Sequence, residues 1–155
     1  MFETIITVPE YEHDEAVQTV ERWLKERFKD LEKEEAICYY RYPIVRTNTD
    51  IIPDLTFVSR QNQPLVIRCL SYQLDEILEV TDNVWILKDR TIESPLWELD
   101  DFVIRLGNKF RDNRELRGRL LPQAVLALPL ITKNRFEEKF GTLQNTLCLH
   151  FSKGK

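Results

Sequence analysis

Pro53-Asp54-Leu55-Thr56-Phe57-Val58, a polar turn at Gln61-Asn62-Gln63-Pro64, and then Leu65-Val66-Ile67-Arg68-Cys69-Leu70 form the stretch that decides the fold. Leu55 to Val58 and Leu65 to Leu70 are short runs of strand-forming residues. A short polar turn between two such runs favours an antiparallel hairpin. Pro53-Asp54 is ordinary turn chemistry ahead of a strand. Arg68 is the odd residue in an otherwise apolar strand. A charge is rarely buried without a partner, so Arg68 is expected to reach solvent at a strand edge or to pair with a carboxylate. Asp54 on the neighbouring strand is the obvious partner.

Upstream, Val17, Val20, Leu24, Phe28 and Leu31 recur at three- and four-residue steps and predict an amphipathic helix. Ala36 to Val45, with Ile37, Tyr39 and Val45 alternating with less apolar neighbours, predicts a strand. Downstream, Val84 to Leu87 predicts a further strand. Ser94-Pro95 has the form of a helix start: a capping serine, then a proline whose missing N–H does no harm in the first turn. Leu96, Leu99, Val103, Leu106 and Phe110 share one face of that helix, and Asp101 and Arg105 sit four apart on the other. Gln123 to Leu128 is apolar enough for a buried strand. Thr132 is a candidate cap for a third helix through Phe140, closed by Gly141, and Leu147 to Phe151 predicts a last strand. Helices around a central group of strands make an α/β or α+β layered domain. With no repeat, low-complexity tract or long linker, residues 1–155 are expected to form one domain.

Composition excludes several classes. Hydrophobic residues are 43% of the chain and charged residues 31%, a globular rather than a disordered balance. No apolar stretch approaches the roughly 18–20 residues that cross a bilayer, so no membrane partner is expected, and Met1 to Glu10 lacks the pattern of a secretion signal. Cys38, Cys69 and Cys148 have no paired ligand spacing and fit reduced thiols in a cytoplasmic protein. His13 and His150 are the only histidines, too few for a His-rich metal site. The net charge of −4 is unevenly spread. Residues 1–36 hold eleven acidic against five basic residues, whereas Arg105 to Arg119 holds six basic against two acidic. A local basic patch on an acidic molecule follows.

The Pro53-Asp54 pair, the hairpin and the Val66–Leu70 strand resemble, in spacing, the restriction-endonuclease-like superfamily known by its Pro-Asp…(Asp/Glu)-x-Lys motif. In that family an Asp ends one hairpin strand, and an acid and a Lys two positions later sit on the next. Residues two apart on a strand share a face, so acid and Lys both address one magnesium ion and its attacking water. The helix with early acids Asp14 and Glu15, the variable stretch with Trp85, Ser94-Pro95-Leu96 (similar to an Asn-Pro-Leu helix start) and the strand around Val125–Leu128 extend the likeness over residues 12 to 130. They point to one branch, the nuclease-related domains fused to helicases or kinases. The resemblance implies a mixed sheet flanked by helices.

Two motif positions depart from that pattern. Arg68 stands where the family has an acid, and Leu70 where it has Lys. A cation repels magnesium, leucine cannot stabilise charge, and one carboxylate is a poor magnesium site. No catalytic residue and no cofactor are therefore expected, and Asp14, Asp54 and Arg68 are vestigial candidates. At about 100° per residue, Asp14 and Glu21 fall beside the apolar stripe and Glu15 on the opposite side, which makes Asp14 the better candidate for an acid facing the old site. All three acids equally suit a helix start. Arg68 has a rival role in phosphate binding.

Arg111, Arg114, Arg117 and Arg119 are the candidate nucleic-acid-binding residues, with a solvated helix end as the plainer role. Trp23, Trp85, Trp97 and Tyr39, Tyr40 and Tyr42 are expected in the core or sheet. The functional expectation is a non-catalytic nuclease-like domain that binds nucleic acid or protein, with DNA and a downstream domain of a longer, helicase-type chain as its candidate partners. The alternatives are a divergent magnesium nuclease that recruits Glu76 or Glu79, and a structural assembly domain.

Overall fold

A computed structural model describes residues 2–28, 35–45, 52–60, 62–142 and 149–152. Leu31, Gln61, Leu147 and Cys148, placed above in the first helix, the turn and the last strand, lie outside them, as do the side chains of Phe28 and His150. In chain order the elements are β1 (Phe2–Ile6), a 3-10 turn (Pro9–His13), α1 (Glu15–Phe28), β2 (Ala36–Tyr40), β3 (Leu55–Ser59) and β4 (Leu65–Cys69). A second 3-10 turn (Leu74–Glu76) leads to β5 (Ile77–Val80), β6 (Val84–Leu87), β7 (Thr91–Glu93), α2 (Pro95–Asp112), β8 (Gln123–Thr132), α3 (Lys133–Phe140) and β9 (Leu149–Ser152). The fold is mixed α+β.

The expected hairpin is present: β3 and β4 run antiparallel, with Leu55 opposite Ile67 and Phe57 opposite Leu65. It lies in a six-stranded sheet of order β1-β2-β3-β4-β8-β9, in which β1–β2, β4–β8 and β8–β9 are parallel and β2–β3 is antiparallel. Strands β5, β6 and β7 form a separate antiparallel sheet. Alternation along β4 and β8 divides the interior. Ile67, Val125 and Ala127 pack on one face with Val17 and Val20 of α1. Val66 packs on the other with Leu99, Phe102 and Leu106 of α2, and Leu126 and Leu128 meet the small sheet and Phe136 of α3. Cover on both faces explains why these two strands are largely apolar.

Several boundaries differ from the sequence expectation. The strand expected through Val45 stops at Tyr40, because Arg41 has φ 43°; Ile44 and Val45 instead pack beside α2. Strands β1, β5 and β7 were not expected, being short and only partly buried. Helix α2 begins at Pro95 as expected, but the Ser94 hydroxyl makes no capping bond, since its own carbonyl already accepts the Trp97 N–H at 2.9 Å. Thr132 likewise precedes α3 without a side-chain cap. Gly141 does close α3: at φ 75° it donates its N–H to the Glu137 carbonyl at 2.8 Å. Pro129 lies in β8 where pairing with β9 shifts register between Leu128 and Thr132, as a residue without a donor demands.

The buried line of α2 is Pro95, Leu99, Phe102 and Leu106. Phe102 was absent from the expected stripe, and Val103 flanks the core. Phe102→Ala should cost about 3–5 kcal/mol in urea unfolding, and Val103→Ala far less. Equal losses would contradict this placement of the helix.

Candidate functional site

Asp54 immediately precedes β3 and is 5% exposed. Its Oδ2 accepts the backbone N–H of Cys69 in β4 at 2.7 Å, and its carbonyl accepts the N–H of Arg41 at 3.0 Å. Its Oδ1 lies 3.5 Å from Arg41 Nε. Asp14 precedes α1 and caps it, with Oδ1 accepting the Val17 N–H at 3.1 Å and the carbonyl accepting the Gln18 N–H at 3.0 Å. Its Oδ2 remains for the site: it is 3.5 Å from Arg41 Nη2 and accepts the Tyr40 hydroxyl at 3.5 Å. One guanidinium therefore bridges two carboxylates from distant parts of the chain, with its carbon 5.5 Å from the centre of the Tyr40 ring.

The backbone makes this bridge possible. Had β2 continued, residue 41 would point away from the face that Tyr40 occupies. The left-handed conformation of Arg41 turns the chain and returns its side chain to that face. A non-glycine residue there carries about 1–2 kcal/mol of strain, and Arg41 is the one such residue among the described residues.

Burial raises the Asp54 carboxyl above its ordinary value; the Cys69 N–H, Arg68 and Arg41 pull it down, Asp14 pushes it up, and burial prevails. Both described thiols are free. Burial, helped by Glu21, pushes Cys38 up to about 12, and burial and Asp54 raise Cys69 well above the ordinary range. Neither supplies a thiolate nucleophile near neutral pH.

Arg68 does not pair with Asp54. Its Nη2 lies 3.6 Å from Glu98 Oε2 on α2, because it shares the α2 face with Val66. Asp54 bonds instead to the backbone N–H of Cys69 and meets Arg41. The expected Arg68–Asp54 salt bridge is therefore not formed; Arg41 is the arginine that lies between Asp14 and Asp54. A clue to Arg41 was a charge inside the aromatic run Tyr39-Tyr40-Arg41-Tyr42, but nothing local announced the turn. Glu21 is 3% exposed, pairs with Lys25 at 2.6 Å and accepts the Thr4 hydroxyl, tying β1 to α1. Glu76 closes its own turn by accepting the Gln73 N–H, and Glu79 lies in the small sheet. No group of three or more His, Cys, Asp or Glu among the described residues could hold a metal ion.

The basic run emerges from the end of α2. Arg111, Arg114, Arg117 and Arg119 are all exposed. Arg117 Nε donates to the Arg111 carbonyl at 2.9 Å, and Arg111 donates to Asn108. Among the described residues none of the four forms an ion pair. Asp101 and Arg105 do pair, at 3.1 Å. Trp85 is buried and Trp23 partly so, but Trp97 on α2 is 50% exposed and Tyr42, after β2, is 39% exposed, so these two are in neither the core nor a sheet.

Comparison with protein-family models, with curated proteins and with solved structures finds no match to this chain.

Two outcomes follow from this geometry. A double-mutant cycle of Arg41→Met and Asp54→Asn should show coupling of about 1–2 kcal/mol, between the values for exposed and buried pairs because Arg41 is partly solvated. The cycle of Arg68→Met with Asp54→Asn should show much less, and the reverse ranking would overturn the assignment. For pH, a carboxyl raised in the folded state favours folding below the ordinary value of 3.8, and that contribution is lost as pH rises through the raised value. The stability of the wild type relative to Asp54→Asn should therefore fall across that interval in pH-dependent unfolding; a rise would contradict the burial.

Proposed function

We propose that this chain is a non-catalytic nuclease-like domain in which the Arg41 guanidinium occupies the place of a divalent cation, and that it acts as a nucleic-acid interaction module through Arg111, Arg114, Arg117 and Arg119. The observation that carries the reading is the Arg41 bridge between Asp14 and Asp54. A buried acid before a hairpin strand and an acid at the start of the preceding helix are the two carboxylates that the restriction-endonuclease-like resemblance leads one to seek. The order helix, three antiparallel strands, helix, parallel strand, from α1 through β2, β3, β4 and α2 to β8, also supports it.

The chemistry for cleavage is missing under this reading. Ile67 and Cys69 are the β4 residues on the α1 face, and Arg68 and Leu70 fill the motif positions by spacing. None of the four is an acid or a lysine. A fixed guanidinium satisfies both carboxylates without the dehydration that magnesium requires. Four exposed arginines that form no ion pair among the described residues supply what phosphate contacts need, a charge that displaces counterions.

Plasmid and single-stranded DNA should remain intact with magnesium or manganese as with chelator; cleavage abolished by Asp54→Ala would overturn the non-catalytic reading. Calorimetric titration of magnesium should be silent for the wild type. Duplex DNA binding should fall with salt, and replacing Arg111, Arg114, Arg117 and Arg119 by Ser should flatten the slope by about one unit per lost contact. An unchanged slope would reduce the patch to a solvated helix end.

A further inference from the structure

The small sheet and the first turns of α2 enclose a cleft of about 330 Å³ that uses none of the residues discussed above for metal or phosphate. Val80, Trp85, Leu96 and Leu126 line its apolar part, and Asp82, Ser94, Trp97 and Asp100 are among its other walls. Three features are unexplained by folding alone. Asp82 and Asp100 form no ion pair or hydrogen bond among the described residues. Trp97, although in the first turn of a packed helix, leaves half its surface in water. Ser94 is 4% exposed, its N–H and carbonyl are used by Asn83 and Trp97, and its hydroxyl has no partner. A buried hydroxyl without a partner is unusual in a native fold and calls for a ligand or water.

We propose that this cleft receives a lysine or arginine side chain of a partner protein. The apolar wall matches an alkyl stem, the half-open indole a cation held over its face, and the two free carboxylates a charged head with several donors. The Ser94 hydroxyl accepts one of those donors. Removal of water around Asp100 raises its carboxyl above the ordinary value, and an incoming cation reverses that. The N-terminus of α2 alone would favour an anion, but Asp82 and Asp100 would oppose a phosphate. The volume is at the small end for ligand sites and suits one long side chain.

The test uses acetylated pentapeptides of glycine with a central lysine, arginine, norleucine or glutamate, followed by tryptophan fluorescence and amide shifts of the full chain. Lysine and arginine peptides should perturb Trp97 saturably, with norleucine and glutamate at least tenfold weaker. Asp82→Asn with Asp100→Asn should lower affinity at least tenfold at unchanged Tm. Ser94→Ala should keep or raise Tm while weakening binding a few-fold, because a hydroxyl awaiting a ligand contributes nothing to the free fold. Equal binding of norleucine, or indifference to the Asp82/Asp100 variant, would overturn the proposal. So would a free polyamine that binds more tightly than either cationic peptide, or a single-stranded oligonucleotide that takes the cleft instead.

Discussion

A carboxylate almost fully removed from water has to be satisfied by its neighbours, and Asp54 obtains this from two separate segments. The Cys69 amide anchors it to β4 and the Arg41 guanidinium ties it to the end of β2, where the Arg41 amide also meets the Asp54 backbone carbonyl; the same guanidinium reaches Asp14 at the start of α1. Loss of any partner leaves a buried charge short of compensation, which is costlier than an ordinary lost contact. The register of the hairpin, the termination of β2 and the seat of α1 are thus mutually dependent. The strained backbone of Arg41 belongs to the same arrangement: it is tolerated because the side chain it redirects balances two acids.

A guanidinium differs from a metal ion in what it permits. It neutralises charge and fixes geometry through directional donors, but has no open coordination position for water or phosphate. On the proposed reading, such a site contributes shape and stability. Function then rests, on the same reading, on surfaces elsewhere: the exposed arginines beyond α2 and the acidic, aromatic cleft beside the small sheet carry opposite charges.

The sequence disclosed the hairpin, the amphipathic helices and the apolar β8 because each follows a local period, two for strands and near 3.6 for helices. Asp54 and Asp14 were also legible, one from turn chemistry before a strand and the other from its angle beside the helix stripe. The identity of their partner was not. Whether Arg68 or Arg41 reaches Asp54 depends on the bend that sets Asp54 outside the β3 ladder and on one left-handed residue, and neither leaves a periodic trace. Phe102 escaped for a related reason: the stripe on α2 was phased through Val103, its immediate neighbour. The strands of the small sheet, three or four residues each with exposed positions, fall below the length at which alternation is recognisable.

The parallel pairing of β4 with β8 has a kinetic consequence. The β3–β4 hairpin and the β5–β7 meander join strands close in sequence and need only short loops to close. The β4–β8 ladder, by contrast, brings Leu65 against Gln123 across the whole small sheet and α2. Contacts of such separation bear their closure entropy before any packing rewards it, and they slow folding more than they weaken the finished structure. The intervening small sheet, by pairing with itself, shortens the effective loop. It serves as a preformed spacer that lets the two central strands meet, and its exposed turns are where the chain best tolerates added length.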